Sequence, residues 1–360
     1  MKRTLTAMAT AAVLGAVGAG APVQAQEDPT KACFIYVGPI GDFGWTYQHH
    51  QGVLELEEEM GDAVETAYLE SVPEGADAER ALQRFARSGC DIIFTTSFGY
   101  MDATNEVAGR FPDIKFEHAT GYKREHPNVA TYNSRFYEGR YIQGVIAAAT
   151  SETGEVGYIA SFPIPEVVRG INAFMLGAKS VDPDFKIRVV WANTWFDPGK
   201  ESDAAKALID QGVDIITQHT DSTAPMQVAE ERGIKAFGQA SDMIEFGKET
   251  QLTAIVDDWG PYYIERVKAV RDGTWEQVDV WDGLADGHVV MAPYTNMPED
   301  VKEMAADIEE KIRSGELHPF TGPINKQDGS AWLAEGEVAS DEELLGMNFY
   351  VEGIDNQLPN

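Results

Sequence analysis

The chain has 360 residues, with 59 Asp and Glu against 28 Lys and Arg and a formal net charge of −31. A field of that sign repels phosphate backbones, which proteins grip through Lys and Arg, so nucleic acid is excluded as a partner. The two cysteines, Cys33 and Cys90, sit in no His, Asp or Glu set with metal-ligand spacing, and neither a bound metal nor a cofactor is expected.

Met1 to about Ala25 starts with Lys2 and Arg3, runs through a small apolar stretch from Ala7 to Val17, and reaches Val23-Gln24-Ala25. This pattern predicts a secretory signal peptide cleaved near Ala25, and hence a periplasmic protein. The stretch is too short and too rich in Ala and Gly to span a hydrocarbon core that demands ~20 apolar residues. No cysteine lies at the cleavage site, so no lipid anchor is expected. Loss of Lys2 and Arg3 leaves the remainder near −33, and acid clusters such as Glu57-Glu58-Glu59 and Asp341-Glu342-Glu343 read as solvated faces.

Beyond the leader, strands alternate with amphipathic helices. Strands are predicted at Cys33 to Val37, Glu65 to Leu69, Asp91 to Thr95, Lys115 to His118 and Val129 to Asn133, with helices at Thr46 to Met60, Ala76 to Ser88 and Tyr100 to Arg110. Cys33 and Cys90 fall at neighbouring strands, which suits a disulfide and a pair of buried thiols alike. After a helix from Glu138 to Thr150 the rhythm restarts. Strands follow at Val156 to Ala160, Ile187 to Trp191, Asp214 to Gln218, Lys235 to Phe237 and Thr253 to Val256, with helices at Glu166 to Ser180, Glu201 to Gln211 and Ala224 to Arg232. Gly89-Cys90-Asp91-Ile92-Ile93 and Gly212-Val213-Asp214-Ile215-Ile216 share a Gly-x-Asp-Ile-Ile form, as equivalent helix-to-strand joints would. The alternation predicts an α/β fold of two Rossmann-like lobes with parallel sheets and right-handed crossovers. The helix from Tyr262 to Asp272, the segments Trp275 to Gly283 and Val289 to Ala292, and the helix from Pro298 to Ser314 are expected to pass back across the junction. The expected lobes are 26–134 with about 257–290, and 135–256 with about 291–325, followed by an extension over 326–360.

Two segments put aromatics just beyond a strand: Gly41-Asp42-Phe43-Gly44-Trp45-Thr46-Tyr47 and Asn193-Thr194-Trp195-Phe196-Asp197-Pro198-Gly199. Open α/β sheets bind ligands beyond the carboxyl ends of their strands. Trp45 and Trp195 lie in Gly- or Pro-bearing loops beside polar neighbours, so two rings from opposite lobes could sandwich a planar heterocycle. The ordinary fate of a tryptophan is the core, which is the competing reading. Polar residues at strand ends, among them Ser97, Asn133, His219, Asp221, Gln239, Asp242, Asp257 and Asp258, suit a neutral hydrogen-bonding ligand, although Asp and Ser at such places also cap helices. His49-His50 reads as helix surface or hinge, since adjacent helical residues point apart. No nucleophile elbow, phosphate loop or dinucleotide fingerprint is present, so an enzyme is not expected.

Gly41-Asp42-Phe43-Gly44-Trp45, Asn133-Ser134-Arg135-Phe136-Tyr137-Glu138-Gly139 and Trp195-Phe196-Asp197-Pro198-Gly199-Lys200-Glu201 together resemble the basic membrane protein family. These are purine-nucleoside-receptor-like substrate-binding proteins of ABC importers, and the resemblance covers about Asp28 to Ile324. It implies a type I periplasmic binding protein with a multi-strand hinge, working as a monomer that closes around a purine and delivers it to a membrane permease. It places the ring positions at Trp45 and Trp195, with Phe43 and Phe196 as neighbours, and polar contacts at Asp42, Asn133, Asp221, Asp242 and Asp258. Nucleoside-binding members hold the ribose with a lysine on the strand after the Asp242 loop. Here that strand ends Ile255-Val256-Asp257-Asp258-Trp259, without lysine, which turns the expectation toward a free base, adenine first. An exported nucleoside hydrolase and a binding protein for a sugar-like ligand are the alternatives.

Overall fold

Strands buried on both faces belong in a parallel sheet covered by helices on each side, and this chain has two such sets. The computed structural model describes residues 28–359; the leader expected over Met1 to Ala25 lies outside the described residues. In the first set, β1 (Thr30–Ile35) is buried throughout except at half-buried Lys31, and β3 (Ile92–Thr95) and β5 (Val129–Ser134) are fully buried. With β2 (Val64–Leu69) and β4 (Lys115–Ala119) they form a parallel sheet in the order β2-β1-β3-β4-β5, linked through helices α1 (Trp45–Met60), α2 (Ala76–Arg87) and α3 (Met101–Ala108). Helix α4 (Phe136–Thr150) leads into the second set, β6 (Glu155–Ala160), β7 (Lys186–Trp191), β8 (Ile215–Gln218), β9 (Lys235–Gly238) and β10 (Gln251–Asp257). Helices α5 (Pro165–Val181), α6 (Pro198–Asp210) and α7 (Ala224–Arg232) connect them in the matching order β7-β6-β8-β9-β10. Strand order reverses beside β1 and again beside β6, so each sheet opens a crevice at its carboxyl edge.

The chain crosses between lobes three times. The first crossing, at Arg135, joins β5 to α4. The second, at Asp258 and Trp259, joins β10 to α8 (Gly260–Asp272), which packs against α1 of the first lobe. The returning segment is fastened there by one carboxylate. Fully buried Glu117 on β4 accepts from Tyr262 Oη at 2.7 Å, Arg266 Nε at 2.7 Å and Trp275 Nε1 at 2.6 Å. Strand β11 (Asp279–Asp282) then adds to the first sheet beside β5 in parallel register. The third crossing occupies 283–288, because β12 (Val289–Met291) pairs antiparallel with β10, Asp257 opposite Val289. The expected break near residue 290 therefore falls a few residues earlier, where an edge strand closes the second sheet. Helix α9 (Glu299–Arg313) packs on α4.

The tail beyond residue 320 folds onto the second lobe. A short hairpin of β13 (Ile324–Asn325) and β14 (Ala331–Leu333) precedes α10 (Asp341–Leu345), whose Ser340 and Glu343 form a capping box. Leu344, Met347, Tyr350, Val351 and Ile354 are buried in the same core as α4 and α5. No helix of the described residues is long and apolar enough to cross a membrane.

One sequence expectation is corrected. His49 is not a surface residue: it is fully buried, its Nδ1 lies 2.5 Å from the Tyr263 hydroxyl, and its ring stacks on Trp259 at 4.3 Å. The apolar face of α1 turns it toward α8, a pairing that a run of one helix alone does not reveal.

Cys33 and Cys90 form a disulfide across 57 positions of sequence, tying β1 to the turn before β3. Cross-linking a loop of that length removes denatured-state entropy, so reduction is expected to lower unfolding stability by roughly 2–4 kcal/mol. Urea titration of oxidised and reduced protein measures it, and coincident transitions would show the bond to be stability-neutral.

Candidate functional site

Where the two carboxyl edges face each other they enclose a cavity with about 340 Å³ of empty space, its mouth included. The first lobe contributes Val37 beyond β1, Trp45 at the start of α1, Ser97 and Phe98 beyond β3, and Thr120 beyond β4. The second lobe contributes Glu166 in the first turn of α5, Trp195 beyond β7, His219 and Asp221 beyond β8, and Gln239 beyond β9. Every one of these positions follows a strand end, so the doubly wound topology alone assembles the site. None of these ten side chains is a lysine or arginine.

The two tryptophans are half-buried and held differently. Trp45 donates its indole N–H to the Thr96 carbonyl at 2.6 Å and meets His49 edge-on at 4.4 Å and Trp259 at 5.3 Å. Its ring is thus fixed by its own lobe. Trp195 packs against Phe162 at 5.1 Å and approaches His219 at 6.5 Å, while its indole N–H points to Glu74 of the opposite lobe at 3.3 Å.

The lobes touch through backbone. A Cβ on Gly44 would lie 2.5 Å from the Asp221 carbonyl oxygen, so only glycine allows the approach. Asp221 Oδ1 accepts from the Trp45 N–H at 3.3 Å, and the Ser241 hydroxyl donates to the Phe43 carbonyl. Phe43, at φ 61°, meets Phe246 of the second lobe edge-on at 4.8 Å.

Of the residues picked from the sequence, Trp45, Ser97, Trp195, His219, Asp221 and Gln239 line the cavity. Asp42 is buried behind it, where its carboxylate accepts from the backbone N–H groups of Gly44 at 2.8 Å, Thr46 at 3.1 Å and Tyr47 at 2.9 Å. That is a helix-start role. Phe43 sits at the mouth, 40 % exposed. Asn133 accepts from the Ser134 N–H and lines a separate hollow beside Arg135 and Trp281. Asp242 is exposed and accepts from Gln251 Nε2 at 2.6 Å and the Ile244 N–H at 3.1 Å. Asp258 caps α8 through the Gly260 N–H, and Phe196 is half-buried outside the lining. Arg135 and Arg169 are spent on Asp341 and on the Leu344 carbonyl. Phe98, Thr120, Val37 and Glu166 went unselected. Glu166 had one signal, an acid at the first turn of a helix that follows a strand, but such an acid ordinarily serves the helix dipole.

The site's electrostatics are set by burial. Desolvation raises the Asp42 carboxyl to about 6, its three backbone hydrogen bonds opposing the rise only in part. The Asp221 carboxyl is pushed well above the usual range, first by desolvation, then by Asp42 and Glu201. Burial pushes the His219 imidazole below its ordinary value, with Arg140 and Arg169 acting in the same sense, so the ring is neutral at pH 7. Its Nε2 lies 3.6 Å from Glu166.

Comparison with known proteins agrees with this geometry. Residues 30–319 match the signature of the family described as ABC transporter substrate-binding protein PnrA-like. A purine-binding protein of Brucella abortus is 67% identical over 333 residues, covering 92% of this chain and 95% of that protein. A protein of Haloferax volcanii, described as a proposed ABC transporter glucose-binding protein, is 39% identical over 93% of this chain and 83% of its own length. Among solved structures, a solute-binding protein of an ABC transporter system from Aeropyrum pernix superposes over 89% of this chain and 98% of its own with a TM-score of 0.71 at 20% identity, a likeness of fold.

Parting the lobes would separate Asp221 from Asp42 and hydrate it, so the form described is expected to hold protons more tightly than an opened one. A raised carboxyl pKa disfavours closure above it and ceases to do so below it. The closed fraction is therefore expected to rise as pH falls from 7.5 through about 6, read as a shrinking radius of gyration in small-angle scattering. Asp42→Asn should flatten the profile, and a closed fraction that falls on acidification contradicts the account.

Proposed function

The chain belongs to the PnrA-like family of ABC transporter substrate-binding proteins, and on that premise we propose that it binds a free purine base, adenine ahead of others, for delivery to a membrane permease. The observation that carries the reading is one cavity lined by two indoles from opposite lobes, with an acceptor-rich polar edge. Flat rings of that kind favour an aromatic ligand through offset or edge contacts worth about 0.5–1.5 kcal/mol beyond buried area.

Two features support a base over larger relatives. Its lining has no cation for a phosphate, which disfavours nucleotides. The strand end at Asp257-Asp258-Trp259 has no lysine for ribose hydroxyls, and Trp259 is fully buried there against His49 and His288. Asp221 then reads the base edge. One oxygen accepts from the Trp45 N–H, burial favours the protonated form of the carboxyl, and in that form donor and acceptor stand side by side, the complement of an adenine ring nitrogen beside its amino group. Delivery from outside the cytoplasmic membrane follows from the leader read at Met1 to Ala25 and from the family's role.

Calorimetry with adenine, hypoxanthine, guanine, adenosine and glucose tests the assignment. Adenine should bind tightest and adenosine measurably weaker; glucose bound in preference to every purine would transfer the reading to the sugar class. Release of base from added nucleoside would make the protein a hydrolase instead. Trp45→Ala and Trp195→Ala should each weaken adenine binding by more than ~1.5 kcal/mol, since ring contact and buried area go together. Unchanged affinity in both variants removes the aromatic clamp from the account.

A further inference from the structure

Glu74 stands outside the cavity, in the first-lobe segment between β2 and α2, and is exposed at the rim. Its Oε1 accepts from the Ser97 hydroxyl at 2.6 Å and the Gly99 N–H at 3.1 Å, both within its own lobe. Gly99 makes this possible, because a Cβ there would lie 2.2 Å from the Glu74 carboxyl carbon. Those two bonds fix the carboxylate before anything crosses the cleft. Its third bond, from Trp195 Nε1 at 3.3 Å, does cross it.

The two aromatic walls are therefore held asymmetrically. Trp45 is pinned by the Thr96 carbonyl of the first lobe, whereas the indole N–H of Trp195, a second-lobe residue, is held by that same first lobe. We propose that Glu74 is a positioning residue that sets the Trp195 ring across the cleft, so that the second wall of the cavity is complete only when the lobes are closed. The inference rests on the reading that the cavity takes a flat ligand. Glu74 touches no ligand itself. It acts through Trp195, and because its bond forms only after closure, it governs escape rather than entry.

A double-mutant cycle on adenine kinetics tests this. Glu74→Ala should raise koff about three- to tenfold, as expected for one rim hydrogen bond to a charged acceptor, while kon changes less than about twofold. Glu74→Gln, which keeps an acceptor oxygen, should fall between. In a Trp195→Phe background, which retains a ring but no N–H, Glu74→Ala should add nothing further. An equal effect of Glu74→Ala in both backgrounds, or no effect in either, overturns the proposal. A second readout needs no ligand: the indole resonance of Trp195, assigned by its loss in Trp195→Phe, should shift in Glu74→Ala, and an unmoved resonance overturns the proposal as well. If the wild type binds no purine yet the indole responds to Glu74, the purine reading falls and the positioning role stands.

Discussion

The approach of Gly44 to the Asp221 backbone sets the spacing of the lobes, and with it the height of the cavity. A side chain at Gly44 would act as a wedge between β1's following loop and β8's following loop, and every other contact across the cleft depends on its absence. Trp45 follows Gly44 by one residue and Asp221 is the contact itself, so the same close approach that brings the lobes together also delivers an indole and a carboxyl to the ligand space. Backbone contact is rigid where side-chain contact is adaptable. A cleft stopped by backbone closes to one height, which is what selection of a flat ligand requires.

That geometry has an electrostatic cost. Asp42, Asp221 and Glu201 are all buried within one region, and each is raised by desolvation. The chain answers by giving the acids donors rather than counter-ions. Asp42 receives three backbone N–H groups, and Glu201 receives the N–H and hydroxyl of Ser222 at 3.0 and 2.7 Å. The buried cations stand one layer back. Arg140 donates to Gln143, Thr217, Gln239 and the Gln218 carbonyl, beneath the cavity floor rather than in it. An arginine in the floor would attract phosphate; one layer down it orients Gln239 and the β8 strand end while the surface offered to ligand stays uncharged or acidic.

The fold was legible because strand and helix periods differ and because this chain repeats their alternation twice. Trp45, Trp195 and Asp221 were legible because topology, and not side-chain detail, decides that strand ends meet. Asp42, Asp242 and Asp258, expected as contacts, lie outside the cavity lining for a physical reason: a carboxylate at the start of a helix looks the same in sequence whether it faces a ligand or the helix's own N–H groups. Here all three serve their own turns. Glu166 is the converse, an acid that would be read as dipole compensation and yet lines the cavity. His49 could not be placed because its partners, Tyr263 and Trp259, lie more than 200 residues away. The third crossing was hidden for a different reason, since only pairing with β10 assigns β12 to a sheet.

The crossings are bonded to one another and to both lobes. Arg135 donates in three directions: its N–H goes to the Asp282 carbonyl at 2.7 Å, its Nε to the Trp281 carbonyl at 2.9 Å, and its two terminal nitrogens to Asp341 at 2.8 Å each. This ties the first crossing to β11 of the first lobe, just ahead of the third crossing, and to α10 of the tail, which packs on α5. Leu284 adds a bond to Glu138 at 2.8 Å, and the Asp258 N–H adds one to the His288 carbonyl at 2.9 Å, bringing in the second crossing. Rotation is cheapest where fewest bonds must break. At Arg135 such bonds run to both sides, to β11 of the first lobe and to α10 beside the second, so neither lobe holds the junction alone. Any turning of one lobe on the other therefore falls to the short crossings at 135, 258–259 and 283–288, which lie between these anchors.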